Sequence, residues 1–228
     1  MSLTLYYHPL ASFCWKVLVA LYENGTAFEK RPINLGDPAD RAELEAIWPL
    51  TKFPVIRDHI RQRDIAETSI IIEYLDHYWP GQQPLIAQGW DEALQARFWD
   101  RVLDNYVQGP MQQIVADRMR NTGLDLSKER TVLLTAYRLL DQQLGHKSWI
   151  GGQGFGLADC AAAPALFYAS TLEVFPEGLH NLSGYFERLM ARASVQRVIE
   201  EAQPFFAYYP FAERIPPRFR GPQNAAHP

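Results

Sequence analysis

Two rhythms of apolar and polar residues divide the chain. Over the first eighty residues, short β-prone runs alternate with segments of helical period. Leu3-Thr4-Leu5-Tyr6-Tyr7 reads as a strand stopped by Pro9. Phe13, Val17, Leu18, Ala20 and Leu21 then recur at helical spacing from Phe13 to Glu23, and Asn24-Gly25 supplies a stop. Phe28 to Ile33 reads as a second strand, parallel to the first if the helix between them is a crossover. Ala39 to Ile47 is a weaker helix, started after Asp37-Pro38. Pro54-Val55-Ile56 and His59 to Ile65 read as two strands joined by a tight turn at Arg57-Asp58. Thr68 to Trp79 reads as a helix with Ile71, Ile72 and Leu75 on one face. The order βαβ, helix, ββα predicts a small α/β unit over residues 1–80.

Pro80-Gly81-Gln82-Gln83-Pro84 marks a boundary, with residues 81–88 as a linker, and from 89 to 212 the pattern is all helical. Trp90 to Arg120 is long and amphipathic, with Leu94, Phe98, Val102 and Tyr106 on a stripe, and Gly109-Pro110 is expected to kink or split it. Ser127 is read as the cap of a helix that ends near Gly145. Leu157 to Ser170 is almost wholly apolar, as a buried central helix would be. Tyr185 to Arg192 and Val195 to Glu201 complete the bundle. Trp90, Phe98, Trp99 and Trp149 are assigned to the core.

Residues 213–228 form a Pro-rich tail. Five of the seven residues from Phe205 to Phe211 are aromatic, and no regular element suits that composition. Such a segment is either a lid over an apolar pocket or simple packing on the bundle. Beyond Arg214 disorder is expected.

Composition narrows the functional classes. With 22 Lys and Arg against 26 Asp and Glu, and no basic block, the chain lacks the electrostatic footprint of a nucleic-acid binder. No apolar run approaches a membrane span, and the N-terminus has no basic stretch leading into an apolar one, so no signal peptide is expected. Two cysteines, Cys14 and Cys160, make no disulfide framework, and no His/Cys spacing resembles a metal site. The expectation is a cytoplasmic protein without a metal.

Three pieces of the first unit carry candidate chemistry. The stretch from Tyr7 to Val17, Tyr-His-Pro-Leu-Ala-Ser-Phe-Cys-Trp-Lys-Val, is a strand-to-helix turn that places small polar side chains and free N–H groups where a thiolate or other anion is stabilised. Lys52-Phe53-Pro54-Val55 sets a proline before a short strand. A cis Phe53-Pro54 bond there exposes the Phe53 backbone to an incoming peptide. Ala66-Glu67-Thr68-Ser69 opens a helix with an acid, a hydroxyl and unpaired N–H groups, a combination that holds the carboxylate and ammonium of an amino acid. Singly, each is also read as a cap, a turn or a complement to the helix dipole.

In order and spacing the three resemble the cytosolic glutathione S-transferase family, in its bacterial type with a serine or cysteine turn. The resemblance runs over nearly the whole chain. It implies a fold of the α/β plus all-α kind: a thioredoxin-like N-terminal domain followed by an all-helical C-terminal domain. It implies glutathione as co-substrate, bound by Ser12, Lys52, Phe53, Pro54, Glu67 and Thr68. It also implies a hydrophobic electrophile as second substrate and a homodimer in which the first long helix of the second domain packs on its partner. Gly154-Phe155-Gly156-Leu157-Ala158-Asp159 resembles the family's capping motif, with Gly156 where a Ser or Thr usually caps. That departure is expected to cost only a few tenths of a kcal/mol.

The first turn departs from the pattern, because Ala11 stands where the family carries its catalytic hydroxyl or thiol. Three neighbours are candidates. Ser12 is favoured. Tyr7 resembles the position used by tyrosine-type members, although strand alternation does not say whether Tyr6 or Tyr7 faces the site. Cys14, in the first helical turn, is either a thiol of lowered pKa that forms a mixed disulfide with glutathione or a small buried hydrophobe. The first of these makes the chain a thiol reductase or lyase, and a site without activation makes it a glutathione-binding or assembly module. Ionising a thiol of pKa ~8.5 at neutral pH requires about two units, or ~2.7 kcal/mol. A helix N-terminus supplies ~1–2 and one hydroxyl hydrogen bond to a charged acceptor ~1.5–3 kcal/mol, so the two together suffice. For the second substrate, Tyr106, Met111 and Val115 would face the first domain in the family's geometry, closed over by Phe206 and Tyr209. Core packing is the alternative for each.

Overall fold

The computed structural model describes residues 2–221. Its N-terminal part is a four-stranded mixed sheet in the order β2-β1-β3-β4, built from β1 (Leu3–Tyr7), β2 (Glu29–Pro32), β3 (Val55–Asp58) and β4 (Arg63–Ala66). Helix α1 (Ser12–Glu23) makes the crossover that leaves β1 and β2 parallel, while β1–β3 and β3–β4 are antiparallel. Helices α2 (Pro38–Ile47) and α3 (Thr68–Tyr78) complete a thioredoxin-like layer. Asp37 starts α2 by accepting the N–H of Ala39 at 2.8 Å.

The β3–β4 turn falls two residues later than the sequence reading placed it. Arg57 and Asp58 belong to β3, paired with Asp64 and Arg63, and the chain reverses over residues 59–62. The cause is Asp58, whose Oδ1 accepts the N–H groups of Ile60 and Arg61 at 2.9 Å and so fixes the turn from within the strand. Its Oδ2 takes Tyr74 Oη at 2.8 Å and Trp79 Nε1 at 3.1 Å, pinning α3 to the end of β3. Burial pushes this carboxyl up, but these donors outweigh it and hold the pKa at about 2.

From α4 (Trp90–Leu103) onward the chain is helical. It continues through a π turn (Asp104–Gln108), α5 (Gly109–Arg120), α6 (Ser127–Gln143), α7 (Leu157–Leu172), α8 (His180–Met190) and α9 (Ala193–Ala202). The long amphipathic segment is thus divided just before Gly109-Pro110, as expected. The form of the division is a turn in which the Gly109 N–H reaches back to the Asp104 carbonyl. Ser127 is not a cap, because it lies inside α6 and its N–H is taken by the Asp125 side chain at 3.0 Å.

Helix α7 is buried along almost its whole length and packs on both α1 and α4. Its small residues Ala158, Ala161, Ala162 and Ala165 admit close approach of both neighbours. That spacing also selects the inner face of α4, which is Ala93, Ala96, Trp99 and Leu103. The stripe read from the sequence lies largely outside. Trp90 is 73% exposed and Phe98 51%, with Leu94 beside them, which corrects the assignment of Trp90 and Phe98 to the core. Trp99 is buried and Trp149 half-buried against Phe155 and Tyr185.

The tail is ordered through residue 221 as short 3₁₀ turns. Ile215 and Phe219 are buried, which corrects the expectation of disorder beyond Arg214 for the described residues. Residues 222–228 lie outside them. Among the described residues no helix is long and apolar enough to cross a membrane.

Candidate functional site

Two cavities open side by side where the sheet layer meets the helices, and Phe53 borders both. The first, of about 630 Å³, is polar and gathers Lys52, Phe53, Pro54, Glu67 and Thr68. The Phe53-Pro54 peptide is cis. Glu67 has φ +66°, a left-handed conformation that few non-glycine residues adopt, and no side chain caps the helix that follows it. The first N–H groups of α3 are therefore left as donors at the cavity wall, where the helix dipole favours an anion.

The floor of this cavity comes from the helical part, and sequence reasoning missed it. Lys16, 1% exposed, lies 2.5 Å from Asp100 and 2.9 Å from Asp104, and donates to Ser69 Oγ at 3.0 Å. Ser69 in turn donates to Asp100 at 2.6 Å, and Arg101 contacts both carboxylates. Burial pushes the Asp104 carboxyl up, opposed by the Lys16 charge. A lysine inside the apolar run Cys14 to Leu21, and two aspartates four apart, were the available signals.

The second cavity, of about 500 Å³, has no formally charged side chain in its lining. One wall is the β1–α1 turn with His8, Leu10, Ala11 and Ser12, and the opposite wall is α5 with Met111, Gln112 and Val115. The turn is locked from several sides. Ala11 N–H bonds the His8 carbonyl at 3.0 Å, Trp15 Nε1 bonds the Pro9 carbonyl at 2.6 Å, and the Leu10 N–H donates to His8 Nδ1 at 3.2 Å. Burial lowers the His8 pKa, and since Nδ1 accepts, the ring proton of the neutral imidazole sits on Nε2. The ring stacks on Phe53 with centroids 5.9 Å apart.

Ala11 is the N-cap of α1 with no side-chain bond, and Ser12 is its first residue, 4% exposed. Ser12 Oγ accepts from Gln108 Nε2 and, at 3.4 Å, from Gln112 Nε2. The other two candidates of the turn lie elsewhere. Tyr7 is packed in the main core and lines neither cavity, with burial pushing its hydroxyl up, while Tyr6 belongs to a small cluster under α2. Cys14 is fully buried, and burial drives its thiol far above the ordinary range despite the His8 N–H it accepts at 3.4 Å. This corrects the reading of Cys14 as an accessible thiol of lowered pKa.

For the second substrate the structure brings Met111, Val115 and Tyr209 to the apolar cavity but not Tyr106 or Phe206. Tyr106 is half exposed on the π turn, whose buried positions are taken by Val107 and Gln108 instead. Phe206 is buried behind the wall against Trp15 and Phe167. Both readings of the tail therefore apply to different residues. Phe206 packs on the bundle, and Tyr208, Tyr209 and Pro210 close one side of the cavity.

A family model described as the N-terminal domain of glutathione S-transferase matches residues 5–83, and one for the C-terminal domain matches residues 120–193. Among curated proteins, a probable glutathione S-transferase of Glycine max is 28% identical over 209 residues, 86% of this chain and 88% of that one. Glutathione S-transferase U22 of Arabidopsis thaliana is 26% identical over 197 residues, 83% and 86% of the two chains. Among solved structures, a glutathione S-transferase of Methylobacillus flagellatus with glutathione bound superposes with a TM-score of 0.73 at 25% identity, covering 86% of this chain and 98% of that one. A delta-class glutathione transferase of Nilaparvata lugens, at 17% identity, shares the fold with a TM-score of 0.81 over 93% and 98% of the two chains. With both of its halves matched by the two domain models, the chain belongs to the glutathione S-transferase family.

Proposed function

We propose that the protein is a glutathione transferase that binds glutathione in the polar cavity and delivers its thiolate to an electrophile in the apolar one. The observation that carries this reading is the meeting of the two cavities at Phe53, beside the N-terminus of α1 and Ser12. Glu67, Thr68 and the uncapped start of α3 hold the γ-glutamyl ammonium and carboxylate. The backbone at Phe53-Pro54 pairs with the cysteinyl residue, and Lys52 adds a cation. Ser12 donates to the sulfur in place of the hydroxyl or thiol that Ala11 lacks, in keeping with a serine-type turn. Met111, Val115 and Tyr209 contact the electrophile.

The test is an ultraviolet difference titration of bound glutathione. A bound thiolate titrating about two units below the free thiol's ~8.5 supports the transferase. Binding without that displacement points instead to a binding module.

We infer a homodimer from α4. Trp90, Leu94 and Phe98 recur at i, i+4 and i+8 on its outer face, with Ile70 of α3 also exposed. An apolar row of that kind on a soluble chain marks an interaction surface.

A further inference from the structure

We propose that Gln108, seconded by Gln112, is a positioning residue that aims the Ser12 hydroxyl at the glutathione sulfur. The proposal rests on the reading of Ser12 given above.

A serine hydroxyl has one proton and two lone pairs. Ser12 Oγ accepts the amide N–H of Gln108 and that of Gln112, and makes no other side-chain hydrogen bond among the described residues. With both acceptor positions engaged by donors, the remaining capacity is its own O–H, and Ser12 lies in the wall of the cavity. An acceptor placed there, such as a thiolate, receives that proton. An unheld hydroxyl in a first helical turn has other choices, because it can rotate and share its proton among nearby acceptors.

Gln108 is costly to keep where it is. It is 2% exposed, and its Oε1 has no partner. Turning the amide over exchanges an orphaned oxygen for an orphaned nitrogen, so an unpartnered polar atom remains in either orientation. A leucine or methionine would fill the same space without that penalty. The local backbone is also shaped for this placement. The π turn ends at Gln108, closed by the Gly109 N–H on the Asp104 carbonyl, and Pro110 has no N–H to extend a regular ladder. The π turn thereby turns Gln108 toward α1, with Gln112 one helical turn further on the same face. The residue that orients the hydroxyl thus comes from the helical part and lies 96 positions along the chain from the serine it holds.

The experiment is the thiol titration of bound glutathione together with steady-state kinetics in the full-length protein, for wild type, Gln108→Leu, Gln112→Leu and Ser12→Ala, and for Gln108→Leu combined with Ser12→Ala. The proposal expects Gln108→Leu to raise the bound thiol's pKa by about one unit and to lower kcat five- to tenfold, with KM for glutathione unchanged, as loss of one charge-assisted hydrogen bond requires. Gln112→Leu, on an exposed residue, shifts both in the same direction by less and decides the matter if Gln108→Leu does not fold. In the Ser12→Ala background Gln108→Leu adds nothing. A fall in the bound thiol's pKa would mean that Ser12 donates to Gln108 and would overturn the proposal. So would an unchanged titration, or an equal loss of kcat with and without Ser12, which would make Gln108 merely structural. Wild-type glutathione that titrates like the free thiol overturns the transferase reading itself and the proposal with it, and is distinguished by appearing before any substitution is made.

Discussion

The Leu85 carbonyl oxygen occupies the place where a side chain on Gly156 would begin. A Cβ at residue 156 would lie 2.5 Å from that oxygen, which itself accepts the Leu157 N–H at 2.8 Å. The linker carbonyl therefore satisfies the first N–H of α7, and the Asp159 side chain accepts the Gly156 N–H at 2.9 Å, the half of a capping box that needs no side chain at residue 156. Glycine is needed here for space, which revises the expectation that it is only a slightly weaker cap. Gly156→Ser should lower stability by about 1–3 kcal/mol although serine is the better cap in isolation. A urea titration that showed stabilisation would refute this.

Asp159 ties three segments together. It is fully buried and accepts from Gly156 N–H, from Ile150 N–H at 3.1 Å and from Tyr185 Oη at 2.6 Å, while burial holds its pKa up at about 6. Asp159→Ala strands all three donors and should cost about 3–5 kcal/mol, the range seen when a buried polar network is broken. Chemical denaturation measures it, and a loss under 1 kcal/mol would contradict the role given to these bonds.

Asp58 sets an acid limit. Its carboxyl lies near 2 in the folded chain against an ordinary 3.8, so the folded state favours the ionised form. That contribution, roughly 2 kcal/mol, is fully present above pH ~4 and is lost as the pH falls through about 2. Asp58→Asn should flatten the stability profile over that window and leave the profile's shape above pH 5 alone. Thermal melts across pH 2–6 compare the two.

Lys16 neutralises two carboxylates at the seam between sheet layer and helices. Lys16→Met leaves Asp100 and Asp104 with Arg101 as their one paired cation among the described residues and should destabilise by about 3 kcal/mol or more, whereas Lys16→Met with Asp100→Leu and Asp104→Leu should recover much of the loss. The comparison of the single and triple variants in urea separates a stranded charge from lost packing.

Phe98→Glu should leave the monomer folded, because the ring is half exposed, and should shift sedimentation from dimer to monomer. Ser12→Ala should lower turnover at least about tenfold, equivalent to ~1.4 kcal/mol in the barrier, with glutathione affinity little changed. Wild-type turnover in that variant would move the role to His8 or to backbone N–H groups.

Much of the N-terminal half was legible because its signals are local. Period-two runs, helical spacing and the Pro and Gly punctuation gave the element order. The motifs at 52–54 and 67–68 line one cavity, and each is set by a few adjacent residues. Errors arose where a local rule met a distant contact. The β3–β4 turn slipped because Asp58 acts as a strand residue and a turn cap at once. The stripe of α4 was legible as a stripe but carried no statement of direction. Periodicity fixes which residues share a face, and the partner decides which face is buried.

The sequence by itself determined the order of strands and helices, the acid-plus-hydroxyl pair at the start of α3 and the lack of a hydroxyl or thiol at Ala11. Only the tertiary structure decided that Cys14 is sealed in the core, that Ala93 and Ala96 rather than Leu94 and Phe98 face α7, and that Lys16 is held by Asp100 and Asp104. It also decided that Ser12 is held by a glutamine 96 residues away. Backbone preference and periodicity act over a few residues, whereas desolvation and charge pairing depend on which distant segments exclude water from a given atom.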